Sequence, residues 1–428
     1  MKKYIFFVVG VMCTLLSHTA YAIDLNKSDA NIIGHVLEKK TGEHLPYMTV
    51  ALKGTTIGTM TDGTGHYFLK NLPEGEFILS VSAVGYKPQE RKVTLKRGKT
   101  LEENFELEED MVALDGVVVT ANRNETARRL APTLVKVVTP KLFDMTNSHT
   151  LSQGLVFQPG VRVENDCQNC GYSQVRINGM DGKYTQILID SRPIFSALAG
   201  VYGLEQIPAN MIERVEVVRG GGSALFGSSA IAGTVNIITK EPLRNSGSFA
   251  HSISNFDGSG SFDNNTTLNL SLVSSDNKMG AYIYGQNRHR SAWDSNGDSF
   301  SELPKLKNQT VGVNAYYRLS PYSKLNLEYH HMEEFRRGGN RFDLPPHIAE
   351  DANLNGSGEP GLVEQIEHSI NTGGLKFSAF SKDQKHVFNA YASAQHIVRD
   401  SYYSAYGHTT DFTGVLGCLL YTSDAADE

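Results

Sequence analysis

The residues best equipped for chemistry are Cys167 and Cys170, in the run Asp166-Cys167-Gln168-Asn169-Cys170-Gly171. Of four cysteines, Cys13 lies in an N-terminal leader and Cys418 in an atypical tail, so the mature chain keeps this pair. The leader has the parts of a secretory signal over residues 1–22: Lys2 and Lys3, an apolar core over 4–16, and Ala20-Tyr21-Ala22 before the cut. Export makes a small-loop disulfide the leading reading of the pair. The alternative is a thiolate site for a soft ion such as copper or zinc. Two sulfurs are half of a tetrahedral set, so His or Met would have to come from elsewhere. Thioredoxin-like exchange fits less well, because the flanks do not read as βαβ.

Other candidate chemistry thins out once spacing is considered. HExxH is absent, and no other His/Glu cluster has ligand spacing. His35, His44 and His66 are scattered along strands and turns and read as surface or half-buried side chains. Gly220-Gly221-Gly222 follows a strand but lacks the Lys-Ser/Thr ending of a phosphate loop. Asp351-x-Asn353-x-Asn355-Gly356 opens like a calcium loop, yet Leu362 stands where the closing Glu belongs, and a plain Asn/Gly-rich loop is the simpler reading. Arg336, Arg337 and Arg341 suit an anionic ligand, lipid headgroups or solvent, and His330 with His331, near a strand's outer end, is a remote metal candidate. No catalytic constellation emerges, so neither an enzyme nor a resident cofactor is expected. A formal charge of -6 is too mild to point to nucleic acid.

The elements that must position these residues are almost all β. Glycine is abundant (40 residues), and 19 Tyr and 19 Phe stand against one Trp, a mixture that favours strands and tight turns. No apolar run reaches the ~20 residues a membrane helix needs, although barrel strands escape that test by alternating lipid-facing and lumen-facing residues. Residues 31–109 divide into seven short strands, among them 31–37, 48–53, 55–61, 66–69, 77–83 and 92–95, parted by turn residues such as Gly42, Pro46, Asp62-Gly63 and Pro73. That spacing predicts a small sandwich. The acidic stretch 102–110 reads as a solvated edge or linker. The β-branched run 114–121 suits addition as a strand to another protein's sheet edge, or is an ordinary strand of the next domain. Farther on, Val215 and Val217 with Val235 and Ile237 predict two alternating strands around a Gly-rich connection. From 245 the chain becomes hairpins, with strands expected at 246–255, 264–274, 278–288, 308–319, 323–333, 366–380 and 386–401. Their connections alternate between short (275–277, 320–322, 382–384) and long (288–306, 334–364), as in outer-membrane barrels.

Several of these segments resemble known families. Gly34-x-Val36, Leu45-Pro46, Thr61-Asp62, Gly65-x-Tyr67-x-Leu69, Leu72-Pro73-x-Gly75 and Val84-Gly85-Tyr86 resemble the carboxypeptidase-regulatory-like domain, which implies an accessory module without catalysis. Leu155, Pro159-Gly160-Val161, Val175-Arg176-Ile177-Asn178-Gly179 and the stretches 186–193, 207–220, 223–227 and 232–240 resemble the plug domain of TonB-dependent outer-membrane receptors. The run 114–121 lies just ahead and resembles that family's TonB box, with Gly116 in place of an acidic residue. The resemblance implies TonB binding at Leu114, Asp115, Val117, Val118, Val119 and Thr120. It places Cys167, Gln168, Asn169, Cys170, Arg192, Phe195 and Tyr202 on ligand-facing plug loops. Arg176, Glu213, Arg214, Glu216 and Arg219 are expected to pack the plug against the barrel wall.

The expected fold is mainly β: signal peptide (1–22), small β-sandwich (31–109), TonB box (114–121), α+β plug (125–241) and a partial antiparallel transmembrane β-barrel (245–417). Barrels plugged this way run to about 22 strands, and residues 418–428 read as translated transposase-adapter DNA. Both features predict a C-terminally truncated chain. The implied function is TonB-dependent import of a scarce solute (an iron-siderophore, haem, cobalamin or metal complex) across the outer membrane of a Gram-negative bacterium. The implied partners are TonB with its inner-membrane energising complex, outer-membrane lipid and a small-molecule ligand, with the N-terminal domains in the periplasm. A glycan importer of the starch-utilisation type and a non-transporting surface-binding β protein are the alternatives.

Overall fold

The computed structural model describes residues 30–83, 86–109, 118–119, 126–127, 135–167, 172–193, 207–222, 226–227, 229–258, 260–381, 386–404 and 407–417. The expected signal peptide, most of the coupling segment and the 418–428 tail lie outside the described residues.

Period-2 alternation builds the first unit. Strands β1 (Ala30–Glu38), β4 (His66–Leu72), β7 (Thr100–Glu102) and β8 (Phe105–Leu107) form one sheet, in which β7 and β8 both pair with β1. Strands β2 (Thr49–Leu52), β3 (Gly58–Met60), β5 (Gly75–Ser82) and β6 (Gln89–Leu95) form the other, in the order β3-β2-β5-β6. Ile32, Val36, Leu69, Phe105 and Leu107 from the first sheet meet Val50, Leu52, Leu79 and Val81 from the second in one dry core. The chain crosses from β7 to β8 over Gly34, where any Cβ would collide with the Glu103 carbonyl.

Within the segment expected to be the coupling box, Val118–Val119 (β9) pairs antiparallel with Thr126–Ala127 (β10). The plug comes next as a five-stranded sheet, order β11-β16-β17-β14-β15, from β11 (Val135–Val138), β14 (Thr185–Ile189), β15 (Arg192–Pro193), β16 (Ile212–Arg219) and β17 (Gly233–Thr239). The hairpin of β12 (Val161–Cys167) and β13 (Tyr172–Ile177) and the short helices α1 (Pro140–Met145) and α2 (Leu151–Leu155) complete it. Val215 faces Ile237 and Val217 faces Val235 across β16–β17, and all four are fully buried. The Gly220 and Gly222 amides donate to Ala232 and Ala230 carbonyls (3.0 and 2.8 Å). They extend this hairpin instead of pointing at a phosphate.

The remaining strands make one antiparallel meander in sequence order: β18 (Ser246–Asn255), β19 (Phe262–Val273), β20 (Met279–Arg290), β21 (Lys305–Ser320), β22 (Ser323–Gly339), β23 (Val363–Phe380), β24 (Val387–Tyr403) and β25 (Gly407–Gly417). The described residues hold eight strands here, where sequence alternation suggested seven. The overlooked β25 follows a connection so short, between Tyr403 and Gly407, that no long loop announced it. Side-chain burial here is inverted. Asn308, Thr310, Asn314 and Arg318 of β21 are buried while Val311, Tyr317 and Leu319 are exposed, and on β19 Asn265 and Ser271 are covered while Leu268, Leu270 and Leu272 are bare. A sheet with apolar residues outside and polar residues inside suits lipid on one face and a polar filling on the other.

Candidate functional site

The plug sits against the covered face of this meander, with Tyr282 and Tyr284 of β20 packed into its apolar core, Glu241 paired with Lys324 of β22 at 3.1 Å, and two further sets of polar contacts. In the first, the Gln153 side chain accepts from the His149 and Thr150 amides (2.7 and 3.3 Å) at the start of α2 and so fixes the segment that carries His149. The His149 ring Nε2 meets Ser252 Oγ of β18 at 3.1 Å, and the His149 carbonyl accepts from Gln286 of β20 at 3.3 Å. Asn210 donates to Asn269 Oδ1 (2.9 Å) and the Gly285 carbonyl (3.2 Å), and its own carbonyl accepts from the Tyr282 hydroxyl (2.9 Å). Burial pushes the His149 imidazole pKa down, and the nearby Arg288 charge adds to that shift.

The second set is a relay that leaves the wall and returns to it. Asn314 of β21 donates to Thr239 Oγ1 (3.0 Å), and Thr239 Oγ1 donates to Asp190 Oδ2 (2.7 Å). Asp190 lies 4.0 Å from Arg192, whose guanidinium forms an ion pair with Glu328 of β22. The turn that presents this pair needs left-handed backbone at Asp190 and Ser191 (φ 46° and 65°). Asn236 holds it by accepting from the Ser191 amide (2.9 Å) and donating to Ser191 Oγ (3.2 Å). Gly374 of β23 opens the space for the guanidinium, since a Cβ there would overlap both Arg192 and Glu328. Burial works against the Arg192 charge, but Glu328 and Asp190 more than offset it and hold its pKa above the usual arginine value. Its Nε and Nη1 are buried without hydrogen-bond partners, so the ion pair is held at some cost in desolvation. A void of ≈ 10 Å³, roughly one water, lies beside it among Thr239, Lys240, Tyr284, Glu328 and His330.

Several expected site residues fall elsewhere. Arg192, expected on a ligand-facing loop, is in the wall contact just described. Arg176 pairs with Glu164 and lies 3.4 Å from Asp181, Arg214 pairs with the fully buried Glu216 at 2.9 Å, and Arg219 donates to the Pro159 carbonyl. All of these are bonds within the plug. Burial pushes the Glu213 carboxyl up and the Lys240 ammonium down, each opposed by the other's charge. Among the described residues, wall contacts also come from His149, Asn210, Thr239, Lys240, Glu241 and the 190–192 turn, whose only sequence signal was polar residues at strand ends. Cys167 closes β12 opposite Tyr172. Gln168, Asn169, Cys170, Phe195 and Tyr202, and in the coupling segment Leu114, Asp115, Val117 and Thr120, lie outside the described residues.

The outer half of the meander corrects three further readings. Arg336 and Arg337 are not on a loop but are buried on β22, 1 % and 2 % exposed. Arg336 pairs with Glu334 at 2.7 Å, and Arg337 donates to the Arg341 and Leu344 carbonyls. His330 faces the void by Glu328, while His331 meets Asn371 at 2.9 Å. As strand neighbours they point to opposite faces and cannot share an ion. Asn355 donates to the Ala349 and Glu359 carbonyls, as a plain turn residue would. Among the described residues, Asp294, Asp298 and Glu302 of the 291–304 loop bring carboxylates within 4.8 Å of one another. Sequence spacing also missed a gathering in the sandwich, where His35, His44 and His66 are not scattered but adjacent.

Known proteins agree with this architecture. Residues 32–119 match the CarboxypepD_reg-like domain, and residues 127–234 match the TonB-dependent receptor plug domain. The vitamin B12 transporter BtuB of Vibrio vulnificus is 32% identical over 229 residues, which are 46% of this chain and 37% of that protein. BtuB of Photobacterium profundum is 37% identical over 128 residues, 29% of this chain and 20% of its own. Among solved structures, the siderophore receptor PirA from Acinetobacter baumannii aligns with a TM-score of 0.57 at 20% identity, over 70% of this chain and 46% of that one. A mutant of the ferric enterobactin receptor PfeA from Pseudomonas aeruginosa aligns at 0.53 and 17% identity, with the same two coverages. At these identities the structural likeness concerns the fold. The chain spans less than half the length of these relatives. With both domains matched in order and the plug lodged against a barrel-type meander, the chain belongs to the TonB-dependent receptors and carries a carboxypeptidase-regulatory-like domain ahead of its plug.

Proposed function

We propose that the chain serves TonB-dependent import of a scarce solute across the outer membrane of a Gram-negative bacterium, with no covalent chemistry on the cargo. The observation that carries this reading is the relay from Asn314 through Thr239, Asp190 and Arg192 to Glu328. A plug that must shift inside a barrel needs contacts that water can replace. Hydrogen bonds exchange for bonds to water at a net cost of only ~1 kcal/mol each, whereas apolar contact, such as that of Tyr282 and Tyr284 with the plug core, loses roughly 25 cal/mol for each Å² uncovered.

The handle for that movement is the 114–121 segment. Its Val118–Val119 core already pairs as a strand, the geometry that strand addition by TonB would use. TonB, energised from the inner membrane, draws on this segment from the periplasm, where the sandwich also lies. The outward Leu and Val of the meander meet lipid. The cargo is a metal chelate of the cobalamin or ferric-siderophore kind, as the names of the relatives suggest. On the family resemblance, Cys167, Gln168, Asn169, Cys170, Phe195 and Tyr202 are the plug residues proposed to meet the cargo.

The test is uptake of labelled cobalamin and of ferric catecholates by cells that lack their own receptors and produce this one. The reading expects accumulation of one of them, lost on deletion of TonB. Val117→Pro, which strips a backbone donor from the handle, should leave surface binding intact and reduce uptake to the TonB-deficient level. Uptake indifferent to both changes would contradict it.

A further inference from the structure

We propose that His35, His44 and His66 form a binding site for a transition-metal ion such as Zn²⁺, Ni²⁺ or Cu²⁺ on the sandwich, apart from the plug and its cargo. His35 and His66 are directly opposite each other across β1 and β4. His44 bridges to Leu37, two residues along from His35 and on the same face of β1. Backbone bonds fix both turns to one residue: the Val36 amide donates to the Gly65 carbonyl (3.0 Å), and the Leu45 amide donates to the Val36 carbonyl (2.8 Å). The ring centres are 5.3 Å apart for His35 and His44, 5.8 Å for His35 and His66, and 4.9 Å for His44 and His66. Three imidazoles bound through nitrogen at about 2.0–2.1 Å to one tetrahedral ion have ring centres roughly 5 Å apart. His44 is exposed, so its ring can turn about the side-chain bonds to bring a nitrogen toward His35 and the Thr64-oriented His66 when an ion binds.

A second, independent observation concerns the tautomer of His66. The Thr64 hydroxyl donates to Asp62 Oδ1 at 2.7 Å, and the same oxygen lies 3.1 Å from His66 Nδ1. A hydroxyl has one proton to give, and the carboxylate takes it. Thr64 therefore accepts from Nδ1–H, which leaves the Nε2 lone pair of His66 for an ion. This carboxylate–hydroxyl–imidazole chain is the outer-shell arrangement that orients metal-bound histidines. Imidazole donors select borderline ions over calcium or magnesium, and a fourth position stays open to water.

The test uses the tag-free, chelator-stripped full chain in detergent, titrated with Zn²⁺ by calorimetry and with Cu²⁺ by electron paramagnetic resonance. One equivalent should bind with nitrogen hyperfine coupling from imidazole. His44→Asn and His66→Asn should each weaken binding at least about tenfold, and Thr64→Val by about 10–100-fold, the usual effect of removing an outer-shell partner. Circular dichroism of the exposed-site variants checks that the sandwich stays folded. Absence of binding to the parent chain would overturn the proposal. So would a His44→Asn/His66→Asn double variant that retains the parent affinity, because the ion would then belong to others of the 14 histidines.

Discussion

The sandwich and the eight-stranded meander are written in the same alternating code and read it in opposite directions. On β1, Ile32 and Val36 turn inward to a dry core while Ile33 is exposed. On β19, Leu268, Leu270 and Leu272 turn outward, and Asn265 and Ser271 are covered. Alternation alone therefore fixes which residues share a face, but not which face meets water. What decides is the partner on each side: a second sheet in the sandwich, and a polar plug against the meander. In that second case the interior contact joins hydrogen bonds and ion pairs to the packing of Tyr282 and Tyr284 into the plug's apolar core.

The largest effects should come from attacking each unit on its covered face. Phe105→Ala removes a sandwich side chain that is 1 % exposed and should cost about 3–5 kcal/mol in denaturant unfolding. Leu272→Ala, 51 % exposed on the meander, should stay within about 0.5 kcal/mol in detergent. Equal costs at the two sites would break the comparison. Glu328→Gln strands the Arg192 charge and should loosen the plug by about 3–5 kcal/mol, seen as faster amide exchange in β14 and β17. Replacing both partners together (Arg192→Met with Glu328→Leu) should recover most of that loss. On the outward face, Leu270→Arg should cost about 2–4 kcal/mol in lipid vesicles if the residue sits at mid-bilayer, with little effect in aqueous detergent.

The smallest effect is a pH dependence in the sandwich. Bonds from Thr64 and His66 hold the Asp62 carboxyl below its usual range near 3.8. A depressed carboxyl stabilises the fold above its unfolded pKa and loses that contribution as pH falls through the folded value. Asp62→Ala should thus cost at most about 1 kcal/mol at neutral pH, since the group is solvent-screened. Parent and variant should converge only well below pH 3.8, as thermal unfolding across pH would register.

Much of this was legible in the residues. Val215, Val217, Val235 and Ile237 alternate strictly, and they pair in the register that alternation implies. The long 288–306 and 334–364 connections marked one end of the meander because polar, Gly-rich chain has nowhere to bury. Two of the misses share one cause, which is distance along the chain. Arg192 reads as a loop cation until Glu328 arrives from β22, and nothing local to either residue announces the pair. His35, His44 and His66 read as isolated until the β1–β4 register and the Leu37–His44 bridge bring them together. Arg336 looks like a loop charge because β22 extends farther than its apolar alternation, on covered polar residues that no hydrophobic pattern marks, and Arg337, on the opposite face, is covered by the following chain whose Arg341 and Leu344 carbonyls it binds.

The central claim, an inverted sheet with lipid outside and the plug inside, is tested most directly by spin labels placed singly at 267–272 of β19 in lipid bilayers. Collision rates with oxygen, which partitions into lipid, and with a water-soluble nickel chelate would be read at each position. The account predicts strict alternation, with Leu268, Leu270 and Leu272 accessible to oxygen and Thr267, Asn269 and Ser271 shielded from it. Uniform exposure to the nickel chelate, or oxygen access with the opposite parity, would contradict it.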